Sequence, residues 1–262
     1  MLILLPPSEG KTPAASGSPV DLATHWLPAL APARKRVLSK LVALCKRTSA
    51  RSVASSLATL GLSAGQASEI ALNATLLEAP AAPAASIYSG VLYEALDAPS
   101  LAPAARAWLD ETAVVFSGLW GVVRLDDRIP AYRCSVGVTL PTVGGLTAYW
   151  KKALPKALDP LDGPILDLRS GAYGAMWTPG ADAATVRVLH ERTVGGVAQR
   201  SVVSHFNKAT KGRIVRALAE AGARPASIDE VAGALRDLKY TVEEHPVAAG
   251  RPRQLDVVVA EL

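Results

Sequence analysis

The sequence is short of several things, and each shortage narrows the reading. Two cysteines, Cys45 and Cys134, stand far apart and form no C-x-x-C pair. That spacing argues against a redox pair and reads as two buried thiols in a reducing cytosol. Four histidines (His25, His190, His205 and His245) show neither H-x-x-x-H nor H-E-x-x-H spacing. No metal site and no cofactor is therefore expected. Aromatic residues make up only 5% of the chain and charged residues 19%. No apolar run approaches the roughly 18 residues of a spanning helix, and the mean hydropathy of +0.22 comes mostly from scattered alanines. The opening MLILLPPSEGK has no basic segment and only five consecutive apolar residues, so it does not read as a secretory signal. These absences predict a cytoplasmic protein with no membrane partner. Asp and Glu are missing altogether between Asp21 and Glu69.

What is present is enough for a folded core. Half of the 262 residues are hydrophobic, and the net charge is +5 from 28 basic and 23 acidic residues. That combination excludes intrinsic disorder, and a chain of this length buries a full core without staples. The mild positive charge permits a nucleic-acid partner without requiring one. Residues 1–5 read as a buried strand stopped by Pro6-Pro7. A helix from about Ala33 places Val37, Leu38, Leu41, Val42, Leu44 and Cys45 on one arc, with Lys35, Arg36, Lys40, Lys46 and Arg47 opposite. Further helices are predicted over 63–77, 102–110, 146–158 with a break at Pro155, 208–221, and 227–238 with Ser227 and Glu230 spaced as a capping box. Strands are predicted over 113–116, 164–168, 240–244 and 254–259. A hairpin of 185–193 and 197–204 would turn at Gly195-Gly196. Helices and strands mix irregularly, without βαβ units in series. The predicted class is α+β, one compact domain over 1–262 with a mixed sheet flanked by helices, or with a helical subdomain over 29–77.

Four segments carry candidate chemistry. Ser8-Glu9-Gly10-Lys11-Thr12 follows the first strand and ends like a phosphate-binding loop, but Leu5 stands where that loop needs its first glycine. A serine and a lysine at a strand end can still hold a phosphate. Ser117-Gly118-Leu119-Trp120-Gly121-Val122-Val123-Arg124 has two glycines three apart, as in the backbone turn of a helix-hairpin-helix element, and Arg128 and Arg133 follow. From Arg187 to Arg216 there are seven basic residues and one acid, Glu191. Four of those bases lie at the start of a predicted helix, which favours anions. Asp167-Leu168-Arg169-Ser170-Gly171-Ala172-Tyr173 reads as a site or as a structural ion pair, with no G-x-S-x-G elbow.

These motifs, in this order, resemble the YaaA family of bacterial peroxide stress response proteins. Ser8, Gly10, Lys11 and Thr12 resemble its S-P-A-K-T. Tyr88-Ser89-Gly90 resembles its Y-x-G, and the block from Ser117 to Arg124, with Asp127, Tyr132-Arg133 and Gly137, resembles its S-G-L-Y-G-V-L-R-P-L-D and P-Y-R segments. Tyr149-Trp150 resembles its F-W, Ser170 and Tyr173 its A-S-x-E-Y, and the run from Ser204 to Gly212 its S-x-x-A-K-x-A-R-G. The chain departs from the pattern at Glu9, Gly10, Leu125, Ser135, Ala172 and Lys211. The resemblance implies a positively charged cleft, a helix-hairpin-helix-like element, DNA binding, and a part in limiting hydrogen peroxide damage linked to intracellular iron.

The expected function is therefore binding of duplex or branched DNA through its phosphates, with weak sequence specificity. The expected contacts are Ser8, Lys11, Thr12, Ser117, Gly118, Gly121, Arg124, Arg133, Arg169, Ser170, Tyr173, Ser204, Lys208 and Lys211. The alternative is an enzyme acting on a nucleotide, nucleobase or other phosphorylated small molecule, with Ser8, Lys11, Arg169, Ser170 and Tyr173 as its pocket. A closed pocket of small-ligand size separates the second reading from the first, which needs an open groove.

Overall fold

The first strand, β1 (Leu2–Leu5), is apolar on both faces, and Ile3, Leu4 and Leu5 are all fully buried. This is what a central parallel strand requires. A computed structural model describes residues 1–194, 197–202, 204–245 and 250–260. After β1 come three helices, α1 (Ala31–Cys45), α2 (Ala50–Leu60) and α3 (Ala67–Ala74). Periodicity assigns no helix to α2, which begins where the Ser49 hydroxyl accepts the Ser52 amide and ends at Gly61 in the left-handed region (φ 66°). The helix expected over 63–77 is shorter, because Ser63 and Gln66 cap a single tight turn before α3 starts.

The chain continues through β2 (Ala82–Pro83), α4 (Ala84–Ile87), α5 (Val91–Leu96) and α6 (Pro103–Thr112). Then follow β3 (Ala113–Ser117), β4 (Gly121–Arg124), β5 (Arg128–Ile129), β6 (Thr139–Leu140) and β7 (Gly144–Gly145). Pro155 divides the next helix into α7 (Leu146–Ala153) and α8 (Pro155–Leu158), as predicted. The remainder is β8 (Ile165–Asp167), α9 (Gly171–Gly174), β9 (Ala183–Val194), β10 (Val197–Ser201), α10 (Ser204–Glu220), α11 (Ile228–Asp237), β11 (Thr241–Glu244) and β12 (Arg253–Val259). β9 and β10 pair antiparallel as expected, but β10 ends at Ser201 and α10 already starts at Ser204, so the strand expected to 204 is shorter and the helix expected from 208 begins earlier; the Gly195-Gly196 turn lies outside the described residues. The Ser227 cap is present, its hydroxyl accepting the Glu230 amide at 3.2 Å.

The main sheet runs β11-β12-β9-β8-β1-β3-β4, with β10 added to β9. β1 pairs in parallel with β3 and β8, and β9 in parallel with β8 and β12. β4, β10 and β11 join antiparallel, so the sheet is mixed. Helices flank it, and the chain is a single compact α+β domain. The edge at β4 is closed by Arg34, which sits on the apolar arc of α1 and is fully buried. Its guanidinium donates to the carbonyls of Trp120 (3.1 Å), Val122 (2.7 Å) and Leu27 (3.3 Å). Burial lowers its pKa to about 10, which leaves it charged at neutral pH. A side chain thus satisfies outward carbonyls that an edge strand would otherwise leave open.

α10 crosses α5 with almost no space between them. A Cβ placed on Gly212 would fall 2.2 Å from the Leu92 carbonyl oxygen. Gly212→Ala is therefore expected to destabilise the fold by about 3 kcal/mol. Urea unfolding checks it, and a midpoint equal to that of the unsubstituted protein would contradict the close approach.

Candidate functional site

The chain leaves the C-terminal end of β1 toward the β3 side of the sheet and leaves the end of β8 toward β9. Such a divergence opens a crevice beyond the carboxyl ends of two adjacent strands, where open sheets bind ligands. A cavity of about 560 Å³ lies there. Its floor is the 6–10 segment after β1, together with Leu168, Ser170 and Tyr173 after β8. Its walls are the start of α5, from Ser89 to Tyr93, and the first turns of α10, with Asn207, Lys208 and Lys211. The volume falls within the range for small-molecule pockets.

The polar groups facing this space are mostly donors. Lys208 is exposed, and Lys211 is buried with its ammonium on the Leu168 carbonyl at 3.0 Å. Burial lowers the Lys211 pKa, and nearby Asp167 opposes that shift. Burial raises the Tyr173 phenol, and hydrogen bonds with the Val136 backbone and the Ser135 side chain oppose that shift. Ser170 is exposed and does not cap α9. The single acid on the lining, Glu9, turns to Arg133 at 2.8 Å. Two ammonium groups, hydroxyls and a paired carboxylate make a pocket suited to an anion. Among the described residues, no group of three or more His, Cys, Asp or Glu side chains is arranged to hold a metal.

Lys11 lies behind the floor and is not part of the lining. Its ammonium donates to the carbonyls of Ser8 (2.7 Å) and Glu9 (3.4 Å) and sits 4.3 Å from the Tyr132 ring centre. Burial, and then the Arg133 cation, lower its pKa to about 8. The Ser8 hydroxyl donates to the Gly10 carbonyl (2.6 Å) and accepts the Ser89 amide (3.1 Å). Tyr93 ties Pro6 to α5 through its hydroxyl at 2.8 Å.

The structure brings together Ser8, Ser170, Tyr173, Lys208 and Lys211, with Lys11 and Arg133 beside them. It separates the others. Ser117 is fully buried. Its oxygen accepts the Leu119 and Trp120 amides and lies 2.6 Å from the Tyr132 hydroxyl, so it cannot reach a phosphate. Gly118 and Gly121 are glycines for packing: a Cβ would fall 2.7 Å from the Cys134 carbonyl in one case and 2.7 Å from the Trp150 ring in the other. The segment joins two antiparallel strands, β3 and β4, so the expected helix-hairpin-helix turn is a buried β-turn. Arg124 lies at the opposite end of the sheet, in a separate cavity with Met1, Leu2 and Trp26, because β4 runs antiparallel to β3. Arg169 is held in a buried ion pair with Asp167 (2.6 Å) and donates to the Trp177 carbonyl, which spends its charge internally. Thr12 is exposed outside the cavity, with its amide on the Ile87 carbonyl. Ser204 starts α10, but its side chain lies outside the described part of the structure.

Sequence reasoning missed Ser89, Tyr93 and Asn207 as cavity residues. Tyr88-Ser89-Gly90 and Asn207 lie inside quoted motifs, so the signal was proximity to glycine and lysine at helix starts. The buried Oδ1 of Asn207 has no hydrogen-bond partner among the described residues.

Comparison with known proteins places the chain among close relatives. The family model described as peroxide stress protein YaaA matches residues 1–245. A UPF0246 protein of Streptomyces coelicolor is 51% identical, with all of both chains covered. A UPF0246 protein of Corynebacterium efficiens is 42% identical over 99% of this chain and 100% of its own. An uncharacterized protein of Campylobacter jejuni is 29% identical over 81% of this chain and 82% of its own.

Three outcomes follow from this geometry. Ser117→Ala orphans two buried amides and leaves the Tyr132 hydroxyl with Tyr88 as its partner, and should cost about 2 kcal/mol in urea unfolding; an unchanged midpoint would contradict the buried turn. Lys11 should titrate with a midpoint near pH 8, followed by the NMR shift of its Cε. Arg133→Gln removes a cation that disfavours the charged form, so the midpoint should rise. A fall in that midpoint would contradict the assigned cause.

Proposed function

The chain belongs to the family described as peroxide stress protein YaaA, and from that premise we propose that it serves the response to peroxide by binding a phosphate-bearing molecule of nucleotide size in the cavity beyond β1 and β8. One observation carries this reading: a space of about 560 Å³, walled on several sides, holds Lys208, Lys211, Ser170 and Tyr173 around a single volume. A duplex needs a long open groove, and a space of this volume suits a smaller molecule. Apolar surface from the part-exposed Pro6, Pro7 and Val91 offers a flat group its contacts, and the lysines offer charge to the phosphate.

A second reading keeps DNA as the partner, bound as duplex or branched structure through its phosphates. It draws on exposed cations: Lys208 at the cavity, Arg213 on the same helix, Lys35, Arg36 and Lys40 along α1, and Arg47 just after it. Binding of that kind weakens steeply with salt.

A thermal-shift screen of nucleoside monophosphates, nucleosides, duplex DNA and branched DNA separates the two. The cavity reading expects a rise in melting temperature with monophosphates, reduced severalfold in apparent affinity by Lys208→Ala. Stabilisation by DNA alone, lost as salt is raised and unaffected by monophosphates, would overturn it in favour of the second.

A further inference from the structure

The loop after β1 has two faces, and Lys11 occupies one of them. Its ammonium draws the Ser8 carbonyl to 2.7 Å and the Glu9 carbonyl, more loosely, to 3.4 Å. The structure has no cis peptide among the described residues. In a trans peptide the carbonyl and the following amide point in opposite directions. The amides of Glu9 and Gly10 therefore point away from Lys11. Ser8, Glu9 and Gly10 line the cavity, and Lys11 does not. Neither amide donates a hydrogen bond to any described residue, whereas those of Thr12 and Ser89 do. Successive unpaired amides on one side of a loop form an anion seat. Lys208 and Lys211 line the same cavity from α10, and the Glu9 carboxylate, which would repel an anion, is drawn aside by Arg133.

We infer that the Glu9 and Gly10 amides, with Lys208 and Lys211, form the seat for a tetrahedral phosphate group, and that Lys11 is a positioning residue that holds the loop in this orientation from behind. The inference rests on the cavity reading above and names the part of the ligand that the cavity would recognise first. It also gives a reason for glycine at position 10. A Cβ there would come 3.2 Å from the Ser89 hydroxyl, on the side chain that borders the same space. The ligand class is a phosphate monoester or free phosphate, because two amides and two ammonium groups can meet more than one unesterified oxygen.

The test is an amide NMR titration of the full chain with inorganic phosphate, adenosine monophosphate and adenosine. Both phosphates should move the Glu9 and Gly10 amide protons downfield with saturation. The monophosphate alone should also move Tyr93 and Tyr173, which separates a free ion from a nucleotide. Adenosine should leave the Glu9 and Gly10 amides in place. Lys11→Ala should weaken phosphate at least tenfold and abolish the two amide shifts, while Lys11→Arg, which keeps a donor for the Ser8 carbonyl, should restore them. If the monophosphate shifts cavity residues without moving Glu9 and Gly10, the seat is wrong and the cavity reading stands. If no probe moves any cavity residue, both fall. Full phosphate affinity in Lys11→Ala would overturn the positioning role.

Discussion

The position of β1 between β3 and β8 governs the rest of the molecule. Both neighbours run parallel to it, in register from Ile3 opposite Ala113 and Leu166. Parallel neighbours need crossovers, and these crossovers leave in opposite directions. The crevice beyond Leu5 and Asp167 is a consequence of strand order alone, before any side chain is considered. Side chains then decide what the crevice accepts. Pro6 and Pro7 stop β1 abruptly, so the following loop turns over the sheet end instead of extending it.

The charge pattern acquires a different meaning in three dimensions. Of the seven bases between Arg187 and Arg216, Arg187 pairs with Asp256, Arg200 with Glu191 and Glu243, and Arg216 with Glu220. Two acids distant in sequence, Asp256 and Glu243, and two close by, Glu191 and Glu220, thus engage three of the seven. Lys208 and Lys211 are the members that line the cavity. The charge available for an external anion is therefore smaller and more localised than the run suggested. Exposed pairs of this kind contribute little stability individually, so their effect is chiefly to fix where positive potential remains.

Local patterns in the sequence were sufficient for most strands and helices. The apolar run of β1, the break at Pro155 and the Ser227 cap each depend on neighbours a few residues away. α2 escaped because ARSVASSLATL carries only three large apolar side chains, Val53, Leu57 and Leu60, among small residues, although they share one face. Arg34 escaped because a cation on an apolar arc gives no sign that distant carbonyls will receive it. The block from Ser117 to Gly121 misled for the same reason. Its glycines answer to Cys134 and Trp150, and its serine to Tyr132, all of them distant in sequence. The candidate site was legible in part: Ser8, Ser170, Tyr173, Lys208 and Lys211 were named from strand ends and a helix start. Arg169 and Arg124 were not separable from them, because only the fold shows which guanidinium is consumed by an internal partner and which end of a strand a residue occupies.

Gly212 has a consequence for how the cavity can respond to an occupant. The residue that follows Lys211 packs α10 onto α5 at van der Waals limit, and both helices line the cavity. Walls joined so closely cannot separate to admit a larger guest or collapse around a smaller one. Under the proposed reading, recognition then resembles a rigid gauge: little ordering entropy is lost on binding, and selectivity is set by dimensions fixed when the chain folds. Drift in the sequence of this region would register first as a change in which guests fit, and only later as a loss of the fold.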